Sequence, residues 1–249
     1  MFDNFLTWDI SGEVISSLIA MGIVVIFYVV VGLLARRADP LKKSKGLVFV
    51  GETLVSFFDG LASRMMGPKF KEMGGFIMAI ASYLFIAFIF GLTGLPSPVT
   101  YLGVPLSLAL VTFGMIHITS IRFTKWKYFK RYIEPVPVFL PVNLLSMWAP
   151  VLSLSLRLFG NALSGWVIMT LIYGGLSSLK IGVITWMNNG SSEVFSLIAP
   201  VITPVLHAYF DLFSGLIQTT VFIFLTMIFI SQEAPMEEVE EKLYMEGGR

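Results

Sequence analysis

The chain alternates between long apolar segments and short segments that carry most of its charge. An apolar segment of about 20 residues is long enough to cross a bilayer as an α-helix. Five segments reach that length, and together they predict an all-α integral membrane protein with about five membrane-spanning helices. The expected spans are residues 14–34, 74–92, 104–121, 143–173 and 193–230.

A further apolar segment, residues 46–66, is interrupted by Glu52, Asp59 and Arg64. Because a charged side chain at the centre of a bilayer is costly, we expect this segment to lie along the membrane surface as an interfacial helix. It adds a helix to the fold without adding a crossing.

The last two spans are longer than a crossing requires. As continuous helices, residues 143–173 would extend about 45 Å and residues 193–230 about 55 Å, whereas the hydrocarbon is ~30 Å thick. Pro150 is expected to kink the first of them, and Pro200 and Pro204 can bend the second. We therefore expect a hairpin of two long, steeply tilted helices.

The composition excludes a soluble domain. Hydrophobic residues make up 56% of the chain, the mean hydropathy is +0.82, and charged residues make up 13%, whereas soluble domains are about 25% charged. The lack of cysteine excludes disulfides and thiolate metal sites. We find no motif for a nucleotide, another cofactor, a metal ion or nucleic acid, and expect none of these ligands.

Basic residues are concentrated in three of the connecting segments. Residues 36–45, 64–71 and 122–131 hold 13 of the 17 lysines and arginines. By the positive-inside rule these segments are cytoplasmic, so the N-terminus is expected outside and the C-terminus, after five crossings, inside. Without a cleavable signal or an organellar presequence, a bacterial plasma membrane is the expected location.

One arginine lies in the middle of a long apolar segment. Arg157 is one of only two basic residues between positions 132 and 232, and its side chain stays charged at any ordinary pH. A charge at membrane depth costs at least ~2.5–3.5 kcal/mol on insertion scales. Ser153, Asn161 and Ser164 share its helix face at spacings of four, four and three. This polar face requires a partner or a water-filled cavity.

The last span carries a matching series of polar residues at helical spacing. They are Thr203, His207, Asp211, Ser214 and Gln218. Asp211 is the only acid deep within a predicted span, and an acid next to an imidazole is typical of proton relays in membranes.

The residues alone leave several interpretations open. Arg157 and Asp211 could form a structural ion pair, and the serines and threonines could serve helix packing. The chain could also be a transporter in which Arg157 binds an anion and Asp211 couples protons, although we find no internal repeat, or a structural scaffold. Glu193, at the outer end of the last span, is either a solvated helix-start residue or an acid at a channel mouth.

Two motifs resemble one family. The sequence LSLSLRLFGNALSG at residues 152–165 resembles the signature of the a subunit in the membrane sector of the F-type rotary ATP synthase. The sequence HAYFDLFSGLIQTTVFIFLTMIFI at residues 207–230 resembles that family's last helix, and PVN at residues 141–143 its lead-in to the arginine helix. The resemblance is strong over residues 137–231.

The resemblance implies a non-catalytic stator subunit with two offset half-channels. They would carry protons to and from carboxylates on a rotating ring of c subunits and so couple ion flow to ATP synthesis or hydrolysis. Arg157 would face the ring as a barrier charge. Asn161, Gln218, Asp211 and His207, with Ser153, Ser214 and Glu193, would belong to the ion path. A sodium-translocating version of the subunit is the main alternative, and an independent proton-coupled transporter a weaker one.

The same resemblance implies partners and a division of the chain. The partners would be the c-subunit ring, the b subunit of the peripheral stalk, the remaining ATP synthase subunits and membrane lipid. We interpret residues 1–249 as a single membrane domain. Its parts are an external segment (1–13), peripheral helices (14–132), an ion-channel hairpin (133–232) and an acidic cytoplasmic tail (233–249).

Two positions depart from the family pattern. Trp166 stands where many members have a glutamate, and Asn143 where many have an acid before the arginine. We therefore expect Asp211 to act as the sole deep relay carboxylate, with His207 and Glu193 assisting it.

Overall fold

The computed structural model describes residues 11–38, 44–93, 95–124, 140–178 and 199–233, and all regular structure in these ranges is helical. The α-helices are α1 (Gly12–Arg37), α2 (Leu47–Met66), α3 (Gly74–Ile89), α4 (Gly103–Thr124), α5 (Leu140–Ser178), α6 (Ala199–His207) and α7 (Gly215–Ser231). Short 3₁₀ helices occupy Pro68–Met73, Phe90–Thr93 and Pro98–Thr100, and a π-helix, Ala208–Ser214, joins α6 to α7. The expected all-α fold is confirmed.

Five helical segments in the described part of the chain are long and apolar enough to cross a membrane. They are Gly12–Arg37, Gly74–Thr93, Gly103–Phe123, Leu145–Gly174 and Thr203–Ser231. These segments confirm the five expected spans, and α2 is not among them. Helices suit this environment because they pair almost all backbone polar groups within one segment, where lipid offers no partner.

Helix α5 is longer than the sequence pattern predicts. It contains 39 residues, which corresponds to about 58 Å of helix. It runs past the expected end at Tyr173 to Ser178, and Pro150 lies inside it without ending it. Residues 174–178, which follow the expected span, are therefore helical, and residues 179–198, between this helix and the next described one, lie outside the described residues.

The main core is formed where α3, α4, α5 and α7 meet. Its buried residues are Ile80, Leu84, Ala87, Phe88, Val99, Ala109, Val151, Leu154, Leu158 and Phe222. Gly215 makes this packing close, because a Cβ built there would lie 2.6 Å from Cγ of Phe88. This contact fixes α7 against α3 at the point where the π-helix ends.

A second core joins α2 to α3, α4 and α7. Its buried residues are Ala62, Met66, Phe70, Ile77, Ala81, Ile116, Ile223, Met227 and Ile230. Helix α2 thus packs beside α3 and the C-terminal part of α7, as one side of the helix assembly.

Hydroxyl groups attach α1 to α3 on the other side of the assembly. The hydroxyls of Ser17 and Tyr83 are hydrogen-bonded at 2.7 Å, and the Tyr28 hydroxyl forms a short contact with that of Ser82. Ser16, Ala20 and Val24 are buried against the assembly, while the rest of α1 exposes large apolar side chains. One face of α1 is therefore held in place and the opposite face suits lipid.

Candidate functional site

A cavity of about 670 Å³ lies between α5, the π-helix, the start of α1 and the connection from α3 to α4. We call it the polar cavity. Its polar and aromatic lining includes Glu13, Ser97, Thr100, Asn161, Trp166, Thr170, Tyr173, His207 and Asp211. It brings together His207, Asp211 and Asn161, three of the residues that the sequence predicted for the ion path.

Three side chains in the polar cavity form a hydrogen-bonded chain. Nδ1 of His207 lies 2.6 Å from Oδ2 of Asp211, and Nε2 of His207 lies 2.7 Å from the hydroxyl of Tyr173. With the carboxylate ionised and the imidazole neutral, Nδ1–H donates to Asp211 and Nε2 accepts from Tyr173, a tautomer that follows from the partners. The side chains of His207 and Asp211 are 28% and 23% exposed, so both are accessible from the cavity.

The carboxylate of Asp211 packs directly on Gly91. Gly91 belongs to the 3₁₀ helix that follows α3, and a Cβ built on it would lie 2.7 Å from Cγ of Asp211. Only glycine leaves room for the carboxylate at this backbone. Gly91 therefore sets how deeply Asp211 lies in the wall of the cavity.

The π-helix changes the expected face of the last span. It begins four residues after Pro204, whose missing N–H already interrupts the ladder of backbone hydrogen bonds. A π-turn is wider than an α-turn, so residues before and after it are rotated relative to one another. His207 and Asp211 line the polar cavity, whereas Gln218, two turns after Asp211, is buried in helix packing. Isolated π-turns in helices often occur at functional sites.

A hydrogen bond joins α5 to the π-helix. The hydroxyl of Ser214 donates to Oδ1 of Asn161 at 2.9 Å, and the hydroxyl of Ser164 donates to the backbone carbonyl of Asn161. The two predicted polar faces therefore meet through Asn161 and Ser214, one helical turn beyond Arg157.

Arg157 does not pair with Asp211. Its side chain is exposed on α5 and makes no hydrogen bond or ion pair with a residue in the described part of the chain. The structural ion pair between Arg157 and Asp211 is thus wrong for this structure, because Asp211 faces the polar cavity and bonds to His207. Ser153 is exposed beside Arg157 and does not line that cavity.

Two further residues of the predicted polar face, Gln218 and Thr203, do not line the polar cavity. Gln218 is buried, and its amide nitrogen has no hydrogen-bond partner among the described residues. The hydroxyl of Thr203 is likewise buried and has no hydrogen-bond partner among the described residues. Glu193 lies outside the described residues, so its proposed position at a channel mouth stays a prediction.

The sequence pattern missed three residues of the polar cavity. Tyr173 could have been identified from the sequence, because it is an aromatic hydroxyl near the end of α5, at the same end of the helix hairpin as His207. Glu13 lay in a segment that we interpreted as an external tail, and Gly91 in the turn after α3. Glu13 and Gly91 belong to no periodic pattern of polar residues, because each reaches the cavity only through the packing of α1 and α3 on the last span.

Comparison with known proteins places these features in a family. Residues 14–231 match the family described as ATP synthase A chain. The chain is 30% identical over 225 residues to "ATP synthase subunit a" of Mycoplasma pneumoniae, which covers 82% of this chain and 75% of that protein. It is 31% identical over 197 residues to "ATP synthase subunit a, sodium ion specific" of Propionigenium modestum, which covers 72% of this chain and 60% of that protein. It is 24% identical over 240 residues to "ATP synthase subunit a" of Bacillus pumilus (90% and 93%).

Proposed function

Because this chain belongs to the ATP synthase A chain family and is an ion-translocating stator subunit of the F-type ATP synthase, we propose that the polar cavity is its outer half-channel. The chain is a multi-pass membrane protein that works with the other ATP synthase subunits. In this proposal protons enter the cavity from the outer side of the membrane, and Asp211 receives them.

The observation that carries the proposal is the chain of hydrogen bonds from Tyr173 through His207 to Asp211. A carboxylate at 2.6 Å from an imidazole can exchange a proton with it without rearrangement. The imidazole of His207 has two ring nitrogens, so it can accept a proton on one and release a proton from the other. Asp211 is then the deep relay carboxylate. It takes the role of the glutamate that many members of the family have at the position of Trp166.

The orientation of the cavity follows from the distribution of charge. Tyr173 lies near the C-terminal end of α5 and Glu13 in the first turn of α1. The basic segments put the opposite ends of these helices at the cytoplasm. The polar cavity therefore opens outward, with the N-terminus outside and the C-terminus inside, as in a bacterial plasma membrane.

Arg157 serves as the barrier charge of the subunit. Its permanent charge is exposed on α5, outside the polar cavity, with the small residues Ser153 and Gly160 beside it. A Cβ on Gly160 would meet no atom within 4 Å, so the surface here leaves room for another chain. The partner that satisfies Arg157 is the membrane-buried carboxylate of a c subunit, which the arginine attracts in its ionised form.

The partners of the chain are the c-subunit ring, against the face of Arg157, and the b subunit of the peripheral stalk, which holds the stator still. Cytoplasmic release of the ion needs a second half-channel on the other side of Arg157. Ions then cross only while they are bound to a carboxylate of the ring, which carries them from one half-channel to the other as it rotates.

Protons are the proposed ion rather than sodium. His207 stands between Tyr173 and Asp211, and a neutral imidazole passes protons through two ring nitrogens. The relative named as sodium ion specific makes sodium the second candidate. Replacing NaCl with KCl during ATP synthesis separates them, because a proton path keeps its rate and a sodium path loses it.

Substitution of Asp211 tests the half-channel. In inverted vesicles containing the assembled complex, Asp211→Asn is expected to lower proton-driven ATP synthesis on the order of a hundredfold, the low end of what a proton-transfer group contributes. Asp59→Asn is the matched control, since Asp59 also packs on a glycine, Gly74, but lies outside the polar cavity. Undiminished synthesis with Asp211→Asn would show that Asp211 is no relay.

Substitution of Arg157 tests the barrier. Arg157→Ala is expected to abolish ATP-driven proton pumping while the ATP hydrolysis sites on other subunits remain. Arg157→Lys is expected to restore little, because a lysine in a low-dielectric environment can lose its proton. Copurification of the chain with a ring of small two-helix subunits distinguishes the stator from an independent transporter, which would purify alone and pump without a ring.

A further inference from the structure

We infer that Glu13 is a second ion-binding carboxylate of the polar cavity, placed on α1 at the outer mouth to concentrate cations before they reach Asp211. This inference rests on the proposed function of the cavity and adds the first helix to the ion path. Among the described residues that line the cavity, Glu13 and Asp211 are the only two that carry carboxylates.

The packing of α1 fixes Glu13 at this place. A Cβ on Gly12, the preceding residue, would lie 3.3 Å from Cγ of Pro96 in the connection between α3 and α4. One turn later, the hydroxyl of Ser17 is hydrogen-bonded to Tyr83 at 2.7 Å, and Ser16 is buried. The first turn of α1 therefore lies in the wall of the cavity, beside Pro96.

The other groups around the cavity do not neutralise Glu13. No lysine or arginine lines it among the described residues, and the titratable groups that share it with Glu13 are Asp211, His207 and Tyr173. A cleft lined by one sign of charge with apolar walls focuses the field and raises the local concentration of counter-ions. Two acids at the mouth and in the wall thus favour cation entry.

Glu13 supplies a charge that the α5 side of the cavity lacks. Trp166 lines the same cavity from α5 and contributes area but no charge. An acid in the first turn of a helix also stabilises that helix through its dipole. The two roles differ in their consequences, because helix stabilisation does not depend on the ion concentration outside.

The first test uses the assembled complex reconstituted in liposomes. It varies the proton concentration on the side of the membrane to which the polar cavity opens, here called the outer side, at constant membrane potential and constant pH on the opposite side. Glu13→Gln is expected to raise the outer proton concentration for half-maximal ATP synthesis about tenfold, the low end of the effect of electrostatic focusing, without changing the maximal rate. The control is Glu72→Gln, an exposed acid in the 3₁₀ helix Pro68–Met73, far from this cavity in the chain and outside its lining. An unchanged curve, or an equal loss at all concentrations, overturns the inference.

The second test restores the charge after assembly, and it uses the lack of cysteine in this chain. Glu13→Cys is treated with an anionic or a cationic methanethiosulfonate, and the complex without the substitution is treated in parallel. The anionic adduct is expected to return the half-maximal concentration toward that of the unsubstituted complex, and the cationic adduct to raise it further. Equal effects of both reagents would make the role steric and overturn the inference.

The two proposals fail in different ways. If Asp211→Asn lowers synthesis as expected while neither Glu13 variant shifts the curve, the half-channel stands and the role of Glu13 is wrong. If Asp211→Asn has no effect, the half-channel itself is wrong and the inference about Glu13 falls with it. A failure of Glu13→Gln to assemble is covered by Glu13→Cys, whose charge is changed only in the finished complex.

Discussion

Gly91 and Asp211 are in direct contact across two separate parts of the chain. A Cβ on Gly91 would lie 2.7 Å from Cγ of Asp211 and 2.8 and 2.9 Å from its two carboxylate oxygens. Contacts this short are essentially never found for a real Cβ, so any other residue at position 91 must displace the carboxylate. The turn after α3 thereby determines the position of the acid that lies 120 residues later in the sequence.

Gly91→Ala is expected to lower proton-driven ATP synthesis at least tenfold, because the displaced carboxylate loses its 2.6 Å hydrogen bond to His207 and a misplacement of about 1 Å can cost far more than that. The measurement is the synthesis rate in inverted vesicles at equal levels of assembled complex. Gly75→Ala is the control, since a Cβ there meets no atom within 4 Å. Equal rates for the two variants would contradict the prediction.

Tyr173→Phe removes the hydrogen bond to Nε2 of His207 and keeps the ring. One hydrogen bond is worth about 0.5–1.5 kcal/mol net, so we expect a threefold to tenfold slower rate of proton-driven synthesis, given that 1.4 kcal/mol is tenfold. Tyr209→Phe, which removes a hydroxyl from the exposed ring stacked on Phe213, should leave the rate unchanged. A rate for Tyr173→Phe equal to that control would remove Tyr173 from the relay.

Ser214→Ala deletes the donor to Asn161 and with it a hydrogen bond between α5 and the π-helix. The expected loss is about 1 kcal/mol of free energy of unfolding, because Oδ1 of Asn161 loses its hydrogen-bond donor and the hairpin loses one bond between its helices. Denaturant titration of the purified chain in detergent measures it, with Ser231→Ala as a control whose hydroxyl bonds only its own helix at Ile228. Losses of equal size would mean that the bond between the helices adds no stability.

Thr226→Val is expected to stabilise the chain by about 1 kcal/mol. Thr226 is fully buried in α7, and its hydroxyl has no hydrogen-bond partner among the described residues. A buried unpaired hydroxyl costs roughly 1–3 kcal/mol, and valine has the same shape without it. The same denaturant titration checks the sign. Thr219→Val should do the opposite, because the Thr219 hydroxyl donates to the carbonyl of Gly215 at 2.8 Å.

The helices and their number could be predicted from the sequence because lipid forces each apolar segment to satisfy its own backbone. The expected spans 14–34, 74–92 and 104–121 lie inside α1, the Gly74–Thr93 segment and α4. The end of α5 was predicted less well, since Gly174 looked like a boundary but continues the helix. A glycine costs about 1 kcal/mol in a helix, which the surrounding helix can absorb.

Part of the candidate site was also present in the sequence. Helical spacing put His207 and Asp211 one turn apart, and the structure places them 2.6 Å from one another. The same spacing put Gln218 on their face, but the π-helix between them rotates it into the packing. Hydrophobic periodicity assumes a regular helix, so it cannot register one wider turn.

The sequence by itself determined which residues bear charge at membrane depth, namely Arg157 and Asp211, because an apolar segment makes each of them conspicuous. Only the tertiary structure decided that the two do not pair. It directs Asp211 toward His207 and Gly91, leaves Arg157 exposed on α5, and brings Glu13 to the same cavity. Spacing along one helix describes a face, whereas the partner of that face depends on how separate helices pack, and for this chain α1 and α3 supply what the last span lacks.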